Sequence, residues 1–368
     1  MTIQNTPKLA IVGSSIVGLI CALGLIDRGI NVRVYEQANG LRENGAGLAF
    51  TRNAVECLRL VSPLASEALR SWVNGFIQHD QNDPMYKPVL FKLFVGANGF
   101  EGCYRAHLLE ALWKRLPSGS VIFSKKLQTI DDDPHNNKAI LHFMDGSTAQ
   151  ADAVIGCDGI KSRTRALLLG SDHPASKPQY THKLSYRALI PMEKAIAALG
   201  AQKALNQSFN TNCDPWTGDN GRLIAPATRQ EVVKAFKDWN KPVRTITEMF
   251  PEVGEKWAVF NSYEYPVPFY SKGRVCLASD SAHAAAPHHG AGAGAGVEDV
   301  LCLITAIDKA LLLATPKTAL TNAFSIYDGM RYEQSSHEVC EMYELDHPLT
   351  KGDMGKCKDE IEARSHKI

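Results

Sequence analysis

Residues 9 to 36, LAIVGSSIVGLICALGLIDRGINVRVYE, constrain the fold more than any other stretch of this chain. Leu9 to Val12 is a short, uninterrupted apolar run of the kind that forms a buried strand. Ile16, Leu19, Ile20, Leu23 and Ile26 then recur at helical spacing, and Gly29 is placed to stop the helix. Asn31 to Glu36 alternates as a second strand with Val32 and Val34 inward. The pattern predicts a compact βαβ unit whose second strand ends in a carboxylate.

The turn between the first strand and the helix holds Gly13, Ser15 and Gly18. In a dinucleotide-binding turn the first glycine makes the bend, the second lets backbone approach a pyrophosphate, and the third lets helix and strand pack closely. The helix N-terminus supplies free N–H groups and a positive dipole end for the phosphates. Ser15 stands at the second position, with a small side chain and a hydroxyl of its own to offer phosphate. Glu36 follows Gly18 by 18 residues, about where a carboxylate would take ribose hydroxyls. The glycine pattern by itself also fits a βαβ unit with no ligand, so other segments have to decide.

Composition narrows the partners. The 368 residues carry 40 basic and 39 acidic side chains, a net charge of +1 spread without blocks, which gives no field to gather nucleic acid or an anionic membrane. With 45% apolar residues the chain can fill one large α/β domain or two joined ones. Nine scattered cysteines with no C-x-x-C pair suggest a reducing compartment and a cytoplasmic protein. The apolar start from Leu9 to Ile26 is broken by glycines and falls short of the ~20 residues of a membrane span.

Two further segments carry chemistry. VIGCDGIKSRTR (154–165) is an apolar strand running into Asp158-Gly159, then Ser162 and Arg165. GRVCLASDSAHAAAPHHGAGAGAGVEDV (273–300) is a strand, an acidic turn and a run of residues without bulk, the composition that lets backbone N–H groups approach a flat ring. His283, His288 and His289 match no metal-ligand spacing, and no metal is expected. For Asp158 and Ser162, purely local hydrogen bonds are the alternative reading.

The three motifs, in this order, resemble those of the class A flavoprotein monooxygenases, the salicylate hydroxylase-like FAD-dependent aromatic hydroxylases, over about Lys8 to Gln334. The resemblance implies a Rossmann-like FAD-binding domain of the GR2 type with an interleaved β-sheet substrate domain. It places Asp158 near FAD and the NAD(P)H route, and Asp280 on the ribityl chain. Pro287, Gly290 and Ala293 would form the loop passing the flavin, with Gly294 and Gly296 leading into a helix that starts near Val297. YRAHLLEAL (104–112) makes Arg105 an FAD contact, and ENGAGLAF (43–50) sets Gly47 and Ala49 against the cofactor. YDGMR (327–331) falls on a late helix with a structural role. Ser279 departs from the family, which has glycine there; Ser15 is a second such change.

The implied division is 1–70, 101–180 and 271–340 for FAD binding, 71–100 and 181–270 for the substrate domain, and 341–368 as a charged tail. Within the substrate part, KLSYRALIP (183–191) resembles the first strand of the sheet, making Arg187 the residue that orients or ionises a phenol. A structural ion pair is the other reading of Arg187. Only SFNTNCDPWTGDNG (208–221) precedes RLIAPATRQEVVKAFKDW (222–239), whose helix is expected over 226–239, so the sheet reads as shortened by about two strands. The implied activity is an NAD(P)H- and O2-dependent hydroxylation of a phenolic or polyketide-like metabolite through a flavin C4a-hydroperoxide. Ser15, Ser279 and the short sheet leave two alternatives: a same-fold FAD reductase or epoxidase of a terpenoid-like substrate, or a flavin-binding protein without catalysis.

Overall fold

The computed structural model of the chain describes residues 6–41, 47–70, 74–75, 101–188, 190–200, 211–212, 223–239, 241–285, 290, 292–313 and 318–332. The chain divides into two compact units, one drawn from 1–75, 88–178 and 262–368 and the other from 76–87 and 179–261.

In the first unit, β1 (Lys8–Val12), α1 (Ile16–Ile26) and β2 (Asn31–Tyr35) form the expected βαβ unit. They are followed by β3 (Gly47–Phe50), α2 (Arg52–Val61), α3 (Pro63–Arg70), β4 (Asn74–Gly75), β5 (Glu101–Tyr104) and α4 (Arg105–Arg115). Next come β6 (Val121–Ile122), the meander β7 (Leu127–Asp133), β8 (Lys138–Phe143) and β9 (Thr148–Ala151), then β10 (Ala153–Gly156) and α5 (Arg163–Leu169). The second unit contributes β11 (Gln179–Arg187), α6 (Met192–Leu199), β12 (Thr211–Asn212), β13 (Ile224–Thr228), α7 (Arg229–Ala235), α8 (Lys241–Glu248) and β14 (Val253–Asn261). The chain then returns to the first unit with β15 (Ser271–Lys272), β16 (Val275–Leu277), α9 (Asp280–His283), α10 (Gly292–Leu313) and α11 (318–332).

The central sheet has the order β15-β16-β10-β1-β2-β6, parallel except for β15. The central strands β1 and β10 are buried on both faces, which is why Leu9 to Val12 shows no polar alternation. Leu9 and Ile11 join Leu19, Ile20 and Leu23 of α1 on the helical side. Ala10 and Val12 pack with Leu127, Leu141 and Phe143 of the meander on the other. Each fully buried leucine or isoleucine there contributes about 1.5–3 kcal/mol relative to exposure.

Helix α10 begins at Gly292, five residues before the expected start near Val297. Gly294 and Gly296 lie inside its first turns because they let it close on its neighbours. A Cβ at Gly294 would sit 3.3 Å from Ala54 of α2, and one at Gly296 only 2.6 Å from Val17 of α1. These two glycines thus serve helix packing.

In the second unit the sheet order is β12-β11-β14-β13, with β11 and β14 antiparallel from Gln179↔Asn261 to Arg187↔Glu255. The helix expected over 226–239 starts later. Pro226 lies in β13, which pairs only with β14 among the described strands, and an edge strand tolerates a proline. Thr228 then caps α7, its hydroxyl accepting from Glu231 N at 3.2 Å. The T-R-Q-E run is the N-terminal half of a capping box and marks the true helix start.

Candidate functional site

The site is built by register. Val12 lies opposite both Gly156 and Tyr35, and Gly156 opposite Leu277, so the carboxyl ends of β2, β1, β10 and β16 finish in line. Glu36, Gly13, Asp158 and Asp280 follow those four ends. In open parallel sheets this edge is where ligands bind.

Gly13 takes a φ of +102°, and a Cβ there would stand 2.5 Å from Cys157 O. Ser15 is the N-cap of α1 with an extended backbone (φ −64°, ψ 167°) open to any residue. Its hydroxyl, expected to face phosphate, is engaged within the protein, donating to Cys157 O at 3.2 Å and accepting from Gly18 N at 3.1 Å. The serine thus leaves the turn's shape intact. Glu36 receives both the N–H and the hydroxyl of Ser14, at 2.8 and 2.9 Å, and the N–H of Ala38 at 2.8 Å. Its carboxylate is held at the strand end beside the turn.

Asp158 accepts from the Ser162 hydroxyl at 2.5 Å and from the N–H and hydroxyl of Thr164 at 2.9 and 3.1 Å. These bonds fix the carboxylate at the start of the turn. Burial pushes its pKa up, and these donors pull it back. Arg165, fully buried, spans from this segment to the next: Nη1 donates to the carbonyls of Asp280 and Ser281, both at 3.2 Å, and Nη2 to Ile160 O at 2.5 Å. Its Nε has no hydrogen-bond partner among the described residues.

Asp280 opens α9. Among the described residues no donor hydrogen-bonds to its carboxylate. Burial pushes its pKa up, while His283, Arg165 and Arg105 draw it down. Arg105, the first residue of α4, has its pKa lowered by burial and raised by Asp280. A carboxylate with no donor among the described residues, under the influence of the buried Arg165 and the part-buried Arg105, suits a ligand that brings hydroxyls, as the ribityl chain of FAD does. Gly47 and Ala49 lie on β3 opposite Tyr104 and Gly102 of β5, which places this strand against the start of α4. Gly290 takes a φ of +68°, and Ala293 is in the first turn of α10 against the core. Pro287, His288 and His289 lie outside the described residues.

Ser279 takes φ +62° and ψ −146°, a region that belongs almost entirely to glycine. Its side chain points at Gly296, where a Cβ would lie 2.8 Å from the serine Oγ, so it too is turned into the protein. Ser279→Gly is expected to raise stability by about 1–2 kcal/mol, read as a higher denaturant midpoint.

In the second unit Arg187 lies over the Trp257 ring, 4.1 Å from guanidinium carbon to centroid. Trp257 Nε1 donates to Glu255 at 3.0 Å. Tyr186 takes the opposite face of β11, against Phe236 and Phe250 in the cluster with α7 and α8. Arg187 is therefore on the face that this cluster does not cover.

Sequence reasoning missed a buried cluster behind the site. Asp299 of α10, fully buried, accepts from Ser279 N at 2.7 Å, His283 Nε2 at 2.5 Å and Arg331 Nε at 2.8 Å. Burial alone would raise the Asp299 pKa, but His283, Arg331 and the Ser279 N–H hold it below the usual carboxylate range. Tyr327 and Asp328 act alongside, the phenol donating to Leu277 O at 2.9 Å and the carboxylate accepting from Tyr270 N at 2.6 Å. The arginine of YDGMR thus reaches the cluster, and its tyrosine and aspartate tie the same helix to Leu277 and Tyr270. No group of three or more metal-binding side chains occurs among the described residues, and no described helix is long and apolar enough to cross a membrane.

Comparison with known proteins agrees with this geometry. Residues 6–185 and 255–321 match a family described as the FAD binding domain. An FAD-dependent monooxygenase of Phoma sp is 40% identical, over 99% of this chain and 95% of its own. A salicylate hydroxylase of Sarocladium schorii is 38% identical, over 99% and 88%. A solved salicylate hydroxylase–substrate complex superposes with a TM-score of 0.74 at 26% identity, over 98% of this chain and 95% of that one. The alignment with the Phoma protein runs over 435 positions, so with 368 residues here at least 67 of its positions face no residue of this chain. This chain belongs to the FAD binding domain family, among the FAD-dependent monooxygenases of the salicylate hydroxylase type.

Proposed function

We propose that this protein uses NADH or NADPH and O2, with FAD as cofactor, to hydroxylate a phenolic or polyketide-like small molecule. The observation that carries the reading is the alignment of Gly13, Glu36, Asp158 and Asp280 at four neighbouring strand ends. The names of the relatives support the reaction class, and the hydroxylase complex among the solved structures supports an aromatic substrate.

When bound, FAD supplies electron transfer and oxygen activation. The turn from Gly13 to Gly18 takes the pyrophosphate on backbone N–H groups. Glu36 accepts from ribose hydroxyls and Asp280 from ribityl hydroxyls. Arg105 balances Asp280, and the segments of Gly47, Ala49, Asp158, Pro287, Gly290 and Ala293 border the cofactor. Residues 179–261 form the substrate part. Arg187, its plane fixed by Trp257, takes the phenol oxygen and favours its ionised form, lowering a pKa that starts near about 10.

The visible spectrum of the purified protein tests the cofactor, with flavin bands and about one FAD released per chain expected. A colourless protein that takes up no added FAD would sink the reading. A phenol screen for NAD(P)H oxidation, oxygen uptake and hydroxylated product tests the reaction. In that assay Arg187→Met is expected to lower kcat/KM about 100-fold while FAD content stays at the wild-type level; unchanged kcat/KM would assign Arg187 to structure.

A further inference from the structure

Behind the turn that carries Asp280, a buried ion cluster grips the backbone. Ser279 occupies a glycine-type conformation although it is a serine. What opposes relaxation is Asp299, whose Oδ2 accepts both the Ser279 N–H (2.7 Å) and His283 Nε2 (2.5 Å). Those two residues bracket α9, and His283 N donates back to Ser279 O at 3.0 Å. The other oxygen, Oδ1, accepts from Arg331 Nε at 2.8 Å, and Arg331 is fixed in turn by Glu298 at 3.3 Å and Ala295 O at 3.4 Å. A buried charge cluster is poor evidence of stabilisation, since a well-packed apolar substitute often does as well. Here both oxygens of one carboxylate are committed, and Oδ2 serves the two ends of the short segment that aims Asp280.

We infer that Asp299 is a positioning residue for the cofactor: held by Arg331, it pins Ser279 and His283 so that the Asp280 carboxylate faces the ribityl chain. The inference rests on the reading that Asp280 binds FAD. It assigns Asp299, His283 and Arg331, all three buried, to FAD affinity. It also accounts for a serine at 279, because a turn held from behind does not need glycine to keep its shape.

The test measures FAD dissociation constants by flavin fluorescence quenching, and thermal midpoints without FAD, on wild type, Asp299→Asn, Ser279→Gly and the double variant. Asp299→Asn is expected to weaken FAD binding about 10- to 100-fold, measured where the protein is fully folded. The double variant is expected to recover most of that loss, because glycine adopts the turn unpinned. A lowered thermal midpoint with unchanged FAD affinity would overturn the inference, as would a loss that Ser279→Gly does not restore. If Asp299→Asn does not fold, Arg331→Lys takes its place, keeping the charge but losing the fork, with the same loss and the same recovery expected. Wild type that binds no FAD would instead overturn the cofactor reading itself.

Discussion

Gly18→Ala is expected to destabilise the first unit by about 3 kcal/mol and to abolish retention of FAD, seen as a lower thermal midpoint and a colourless purified protein. A Cβ at Gly18 would lie 2.2 Å from Gly13 O, and that atom is backbone that no rotamer change can clear. Moving it would disturb Gly13, which already stands in a left-handed conformation against Cys157 O. Helix α1 would have to withdraw from the strand end, taking with it the N–H groups of its first turn, which the proposed function gives to phosphate. Ser15 obeys a different rule: its backbone is extended and its hydroxyl is a helix cap. Ser15→Ala should therefore cost only about 1 kcal/mol. Equal losses for the two variants would mean that the turn is more plastic than this geometry allows.

The same contrast marks what the sequence makes legible. The βαβ unit stands out because its periods are local: α1 runs from Ile16 to Ile26 and β2 starts at Asn31, as the spacing predicts. The motifs that bring Asp158 and Asp280 to the strand ends are legible for the same reason. Where the reading errs, a tertiary contact overrides local composition. The glycines at 294 and 296 read as leading into a helix that starts near Val297, yet they are already helical, where Ala54 and Val17 leave no room for a side chain. Pro226 looks like a helix start, but it lies in a strand that among the described residues is at the sheet edge, where a missing N–H is tolerated. Asp299 and Arg331 lie 32 residues apart on two helices, and no spacing announces that they meet. Glu36 is apparent from its place in the sequence, but its bonds to Ser14 are visible only in the fold.

Arg165 carries the other large effect. Arg165→Met is expected to lower stability by about 3–5 kcal/mol, the cost of removing one partner from a buried charged arrangement. The guanidinium supplies donors to the carbonyls of Ile160, Asp280 and Ser281 and positive charge near Asp158 and Asp280. Burial already pushes both carboxyl pKa values above their ordinary range, and Arg165 is among the groups that draw Asp280 back. Without it they should rise further. A carboxyl whose folded pKa exceeds its unfolded one contributes stability that is full below the unfolded value and is lost as pH climbs through the folded one. The deficit of the variant should therefore be smaller at about pH 5 than at about pH 8, compared by denaturant midpoints against wild type at each pH. Arg165→Lys, which keeps charge but cannot span three carbonyls, should restore the pH dependence more fully than the stability. A deficit independent of pH would place the contribution of Arg165 in its hydrogen bonds alone, and no deficit at all would mean that the two acidic turns are joined without it.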